Sequence, residues 1–399
     1  MRRITIKEAR PGILAARSLT GTLPTGAKVA IAGTGDALTV AQLVQCHELG
    51  IYDLWVTDPG LEFLDEFCVQ PTREQSRLAE GLRDSFLRLS CCVPRTLIKR
   101  HATTLEEVLH TLLRAVAAVP FFPGFTEDDM LLAHSCDVAA VATLLGLQLE
   151  TYLVEQRRRL NGRQAGSVAN LALGALLHDA GELMLPPGQR ESRVTDFESE
   201  DWKQHTEEGY AMVRGRIDPS AAGIVLHHHQ RFDGTGFAGL STGEGKPPES
   251  VHRALSGEAI HVYPRIVMAA DVFCRTHFAG ARLPQPIVKT LWLIQQAPLR
   301  LAFDPVVHGQ LMGMFAPFVE GMVVMLGDGR QAVVTKVDAG YACYPEVRAV
   351  SDEFQEGGEA GPRDVKLAER NDLAIAAVDG VAVEKYLYGV KRAAPRQAA

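Results

Sequence analysis

Residues 171–182 read LALGALLHDAGE, and the first chemistry in the chain is the adjacent pair His178-Asp179 that closes this apolar run. An imidazole beside a carboxylate is a poor structural choice in an apolar segment, because a buried charge without a partner is costly. It is a good choice for holding a divalent ion. Four further histidines (His134, His205, His228 and His229) and Asp271 stand where they could converge on the pair. Singly, His134 reads as a hydrogen-bonded core histidine and His205 as a surface residue. Three consecutive imidazoles at 227–229, and a carboxylate within the apolar stretch RIVMAADVF, are harder to explain without a task. Together the seven nitrogen and oxygen ligands suit two borderline-hard ions such as iron, manganese or zinc. Asp179 can bridge two ions while His178 binds one. Ions held about 3.5–4 Å apart trap a bridging hydroxide and clamp the oxygens of a phosphoryl group.

Helices must carry these residues, and the spacing supplies them. Leu131, Leu132, Val138, Val141, Leu144 and Leu145 flank His134 at helical intervals. Asp218-Pro219 is a cap followed by a first helical residue, and the helix it starts ends at the histidine triplet. Residues 126–319 are therefore expected to form a mostly helical domain holding every candidate ligand. Ahead of it, residues 71–125 read as a helical linker. There Thr103 with Glu106 has the capping-box pattern, and Leu105, Val108, Leu109, Leu112, Leu113 and Val116 trace one face.

The ends of the chain differ in character. Residues 1–70 read as a small α/β module, with strand-like stretches at 29–31 and 55–56, a helix over 38–50 and turns at 11–12, 24–26 and 33–35. The glycines at 33 and 35 are turn chemistry, since neither a third glycine nor a Lys-Ser/Thr pair follows. Residues 320–390 read as a β-rich module, in which MVVMLGDGRQAVVTKV makes two strands joined at Gly327-Asp328-Gly329. Residues 391–399 read as a disordered tail. The expected fold class is mainly α: an all-helical domain between an α/β module and a β-rich one.

Composition bounds the function. With 399 residues, 46% hydrophobic and 22% charged, the chain can bury one substantial core plus smaller units. A net charge of −7 without a basic tract argues against a nucleic acid polymer as partner. A small anion held through metal ions is compatible with it. Seven scattered cysteines without CxxC spacing point away from a zinc ribbon or a disulfide framework and toward a reducing compartment. No apolar block of signal-peptide length follows the N-terminal arginines and no apolar run reaches bilayer length, so a cytoplasmic protein without membrane insertion is expected.

In order along the chain stand Leu132, His134-Ser135, LLHDAGE at 176–182, Trp202-Lys203-Gln204-His205, HHQRFDGTGFAGL at 228–240, PRIVMAADVF at 264–273 and Phe303-Asp304-Pro305. This series resembles the HD-GYP family of HD-superfamily metal-dependent phosphohydrolases over about residues 126–317. The resemblance implies a signal-transduction enzyme that hydrolyses cyclic di-GMP to linear pGpG or on to GMP. It implies a centre of two or three metal ions, and two divalent ions, iron or manganese, are expected here. His134, His178, Asp179 and Asp271 would serve one ion; Asp179, His205, His228 and His229 would serve the other, leaving His227 as the extra imidazole. Where some members add a glutamate for a third metal, Met130 stands. Asp179 and Glu182 take the catalytic positions, and Gln230, Arg231, Asp233, Gly234, Arg275 and Arg282 are the candidates for substrate contact.

The departures concern charge. Glu182 stands where the family's HDxGK motif has lysine, and Gln230 where it has the glutamate of HHE. The GYP triplet is Gly236-Phe237-Ala238, and the second aspartate of a DxFDA-like segment is Cys274. On a helix, Glu182 lies four residues after His178 and shares its face. Two divalent ions offset by Asp179, Asp271 and a hydroxide leave about one positive charge, which an ionised Glu182 cancels. That predicts slow turnover or an altered substrate, and a faster Glu182→Lys variant. A solvent-facing Glu182, or one paired with Lys203 or an arginine, predicts ordinary catalysis. The alternative function is a non-catalytic module that binds a cyclic dinucleotide or metal and signals through the terminal modules, with a signalling-protein partner and a homodimer both left open.

Overall fold

The computed structural model describes residues 2–6, 9, 11–23, 27–57, 64, 72–90, 92–116, 119–185, 200–237, 255–278, 285–349 and 364–389. At the N-terminal side, β1 (Arg2–Thr5) and β2 (Leu14–Ala15) pair antiparallel on either side of β5 (Asp53–Thr57), while β3 (Leu19–Thr22) and β4 (Lys28–Ala32) form a separate hairpin. Between them α1 (Val40–Glu48) starts at Thr39, whose hydroxyl accepts from the Gln42 amide while the Gln42 side chain accepts from the Thr39 amide. That reciprocal pair satisfies two of the donors a helix start leaves unpaired. Ile13, Leu38, Leu54 and Val56 close a small core beneath it.

The helices that build the main core and the site are α2 (Arg73–Leu89), α3 (Ala102–Val116), α4 (Asp129–Gln148), α5 (Ala169–Leu177), α6 (His205–Val213), α7 (Pro219–His227), α8 (Val262–Phe278) and α9 (Pro305–Met314). A helix that is apolar on all sides has to be a central one. Here it is α4, which packs against α2, α5 and α8 and is capped by Asp128, whose carboxylate accepts from the Leu131 amide at 3.0 Å. The run Leu171 to Leu177 is buried along its whole length, since α5 is wedged between α4 and α7. Gly174 permits that approach: a Cβ there would meet the Ala221 carbonyl oxygen at 2.8 Å and the Ile224 side chain.

Four expectations need correction. The helix α3 begins at Ala102, so Thr103 lies within it and caps nothing; its six apolar residues are nonetheless all buried. They belong, with α2, to the same core as α4, so the stretch expected as a linker is part of the central packing. The helix α5 stops at Leu177 and gives way to a 3-10 turn at Ala180–Met184, which takes Glu182 off the helical face of His178. Finally, Met130–Gln148 is long and apolar enough to cross a membrane by length and composition alone, though 78% of it is buried as a core helix.

At the C-terminal side, β6 (Val323–Leu326), β7 (Gln331–Lys336), β8 (Glu346–Ala349), β9 (Asp364–Lys366), β10 (Ile375–Val378) and β11 (Val381–Ala382) form an antiparallel sheet in the order β11-β10-β6-β7-β8-β9. The expected hairpin joins β6 to β7, with Gly329 at φ +87°, a conformation open to glycine and strained for most other residues. Val288 and Phe318 of the helical part pack into the core of this sheet. His47 of α1 reaches Gln331 of β7 at 3.1 Å, linking the two terminal parts. The tail expected at 391–399 lies outside the described residues.

Candidate metal centre

The seven residues picked from the sequence are brought together by five helices. His134 lies in the second turn of α4 and Asp271 well inside α8. His178 is the residue at which α5 ends, with Asp179 next; His205 opens α6; His228 ends α7, with His229 next. Helix ends leave carbonyls unpaired, and the imidazoles use them or the carbonyl of the turn before. His178 Nδ1 lies 2.7 Å from the Ala175 carbonyl, His205 Nδ1 2.6 Å from that of Trp202, and His228 Nδ1 3.0 Å from that of Val225. A carbonyl only accepts, so each Nδ1 carries its proton and each Nε2 is turned inward.

Those Nε2 atoms surround Asp179 from two sides. Its Oδ2 lies 3.2 Å from His178 Nε2 and 3.6 Å from His134 Nε2. Its Oδ1 lies 3.4 Å from both His205 Nε2 and His228 Nε2. Asp271 Oδ1 completes the first side, 2.9 Å from His134 Nε2 and 3.7 Å from His178 Nε2. Two groups result: His134, His178 and Asp271 on one side, and Asp179, His205, His228 and His229 on the other, with the ligand atoms of each group within 4.8 Å of one another. His178 Nε2, Asp179 Oδ1 and His229 Nε2 are buried without a hydrogen-bond partner among the described residues. Such atoms are costly unless something binds them, so the donor set fits divalent ions.

The electrostatics differ between the sides. Burial takes His205 down to about 3 and holds His229 well below its ordinary value, keeping both neutral, as metal ligation requires. Burial opposes a charge on His178 too, but the adjacent Asp179 outweighs it and lifts the imidazole to about 10. Asp179 and Asp271 are held well below the usual carboxylate range, against burial, by His178 and Arg275 for the first and by Arg275 and His134 for the second.

Glu182 is fully buried, and the indole N–H of Trp202 donates to its Oε1 at 3.3 Å. It therefore does not face solvent. Arg275, expected at the substrate, instead grips the centre: Nε donates to Asp271 Oδ1 and a terminal nitrogen to Asp179 Oδ2, both at 2.7 Å. Gln230 is buried and its Oε1 accepts from the Leu255 amide at 2.9 Å, so it ties two loops together. Asp233 accepts from the amide and hydroxyl of Thr235, making a turn that passes through Gly234 at φ +80°. Arg231 is exposed, and Arg282 lies outside the described residues.

Two residues of the site escaped the sequence reading as contributors. Trp202 floors the second group, its ring 4.5 Å from that of His205 and 4.9 Å from that of His229, while Phe237 covers His229 at 4.8 Å. A lone indole in the charged stretch 198–208 was the available signal for the first. Gly181 is the second: a Cβ there would collide with the His205 carbonyl and the Gly209 amide. The turn after Asp179 can press on the start of α6 only because no side chain intervenes.

Residues 131–276 match the HD domain family. The cyclic di-GMP phosphodiesterase PA4108 of Pseudomonas aeruginosa is 26% identical over 346 residues, covering 77% of this chain and 75% of that protein. The cyclic di-GMP phosphodiesterase response regulator RpfG of Xanthomonas campestris is 29% identical over 194 residues, or 44% of this chain and 43% of RpfG. Among solved structures, Bd1817, an HDG"Y"P protein from Bdellovibrio bacteriovorus, aligns with 78% of this chain and 97% of its own at 13% identity and a TM-score of 0.34, too loose a likeness to carry an argument.

Proposed function

This chain belongs to the HD-GYP family of HD-domain proteins, and from that premise we propose that it is a metal-dependent phosphodiesterase whose substrate is cyclic di-GMP. Support for the substrate comes from the two relatives, each named for that activity. Support for the chemistry comes from one observation above the others: the two oxygens of Asp179 face two separate sets of imidazoles. A carboxylate so placed can serve two ions at once, iron or manganese as the family resemblance implies, through oxygen and nitrogen donors that suit borderline-hard ions. When bound, such a pair supplies Lewis acidity at a phosphoryl oxygen and lowers the pKa of an attacking water.

The chain's own residues set the stage for that chemistry. Nδ1–H bonds to backbone carbonyls hold His178, His205 and His228 in one orientation, with Nε2 inward. Asp271 and Asp179 bring two negative charges to the centre. Trp202 and Phe237 exclude water from the His229 side. Glu182, by adding a third buried carboxylate, lowers the net positive charge that a phosphate would meet, and slow turnover follows.

The test is to incubate manganese-loaded protein with cyclic di-GMP and separate the products chromatographically. Formation of linear pGpG or GMP by wild type, absent for Asp179→Ala, supports the reading. Binding of cyclic di-GMP with the nucleotide still intact after long incubation would move the chain to a second reading, a non-catalytic signalling module. The grip of Arg275 on both carboxylates is the observation that favours that alternative.

A further inference from the structure

We propose that Arg275 is a resident cation of the centre, which competes with metal for the His134, His178 and Asp271 group and makes the two groups fill in a fixed order. The inference rests on the metal-centre reading above and deepens it. The oxygens that Arg275 holds are Asp271 Oδ1 and Asp179 Oδ2, at 2.7 Å each. They are the same oxygens that face His134 and His178. An ion entering this group must use them, so it must displace the guanidinium. Among the described residues no arginine or lysine holds the other group's donors in this way. Asp179 Oδ1, which faces His205 and His228, has no hydrogen-bond partner among the described residues, and His229 Nε2 is likewise buried and unbonded.

The competitor is well matched to its place. Arg275 stands one helical turn after Asp271 on α8, its side chain only 14% exposed, so the pairing is built into the helix and screened little by solvent. A guanidinium cannot lose its proton here, so metal cannot win by deprotonating it; it has to move. A berth lies close by. The Arg275 guanidinium carbon is 5.9 Å from the Trp202 ring, and the same indole donates to the buried Glu182 carboxylate. Glu182 thus acquires a role of its own: it receives Arg275 when the first group takes up its ion. Metal enters first at Asp179, His205, His228 and His229, and then, more weakly, at the group that Arg275 guards.

The experiment is a calorimetric titration of metal-free full-length protein with Mn²⁺, with metal per chain and melting temperature recorded at each step. Wild type should bind one ion tightly and a second more weakly by about tenfold or more, the size of effect seen when a residue supporting a ligand is changed. Arg275→Gln should tighten the second step by a similar factor, leave the first unchanged, and lower the melting temperature of the metal-free protein while the two-ion form recovers. Arg275→Lys, which keeps the charge, should retain unequal filling and guards against a folding defect in the glutamine variant. Glu182→Gln should weaken the second step further. Two ions bound with equal affinity by wild type and Arg275→Gln alike would overturn the proposal while leaving the metal centre standing. A wild type that binds no Mn²⁺ would sink both.

Discussion

His205, His228 and His229 come from helix ends and sit over the Trp202 ring, whereas His134 and Asp271 project from within α4 and α8 and share their surroundings with Arg275. In the first arrangement burial lowers the pKa of His205 and His229, and among the described residues no arginine or lysine pairs with its donors. The second concentrates carboxylates and answers them with a guanidinium and a charged His178. One aspartate belongs to both. Two donor groups made this way leave one half open to a cation and the other already neutralised, so the family's overall pattern can persist while the charge balance within it changes.

Variants can break this comparison or sharpen it. The largest effect should follow loss of the shared residue. Asp179→Ala removes the carboxylate that faces both groups, and metal content and hydrolysis should fall by more than the roughly 10–100-fold that losing a supporting residue costs, read by metal analysis and product formation. Next comes Glu182→Lys. The sequence alone predicts that it is faster; burial of Glu182 against Trp202 now predicts a second buried cation facing Arg275, and a loss of about 3 kcal/mol or more in urea unfolding. Unchanged stability would show that the side chain can escape to solvent. Gly181→Ala forces a Cβ into the His205 carbonyl and should cost about 1–3 kcal/mol by overpacking, while displacing His205 from the second group and sparing the first.

Acid should separate the two groups in metal-free protein. Below the ordinary histidine pKa of about 6.5, the unfolded chain takes up protons that His205, lowered by burial to about 3, refuses in the folded state. The unfolded state then binds more protons, so stability falls with pH from about 6.5 downward, by up to about 1.4 kcal/mol per pH unit for each such histidine. His178, lifted to about 10, is protonated in both states across that window and contributes no slope there; its stabilisation is lost only on raising the pH from about 6.5 toward 10. Urea midpoints between pH 7 and 5 should therefore decline in wild type and decline less steeply in His205→Gln. The smallest effect is Trp202→Phe, which deletes one donor to Glu182 and should cost about 1 kcal/mol in the same assay.

Ligand types and their order along the chain were legible in the sequence because neighbouring residues are constrained by local geometry. His178-Asp179 at the close of an apolar run, the triplet after a helix begun by Asp218-Pro219, and Asp271 in an apolar helix all carry their meaning within a few residues, and each lies where local spacing placed it. The apolar stripe of α3 was legible for the same reason, although its N-terminal cap was not, since a capping pattern within a helix looks the same as one at its start. The six-stranded sheet was legible only in part: its first hairpin announces itself by Gly327-Asp328-Gly329, while the order of its later strands depends on pairings between residues far apart.

Sequence by itself thus determined the mainly helical class, the family and the candidate donors to look for, because these rest on residue type and short-range periodicity. Tertiary structure decided the charge arrangement. Whether Arg275 meets a substrate or the carboxylates, and whether Glu182 faces water or an indole, depends on how α5, α6 and α8 approach one another. Those approaches are set by close backbone contacts such as that of Gly181 on α6, which appear in the sequence only as a missing side chain.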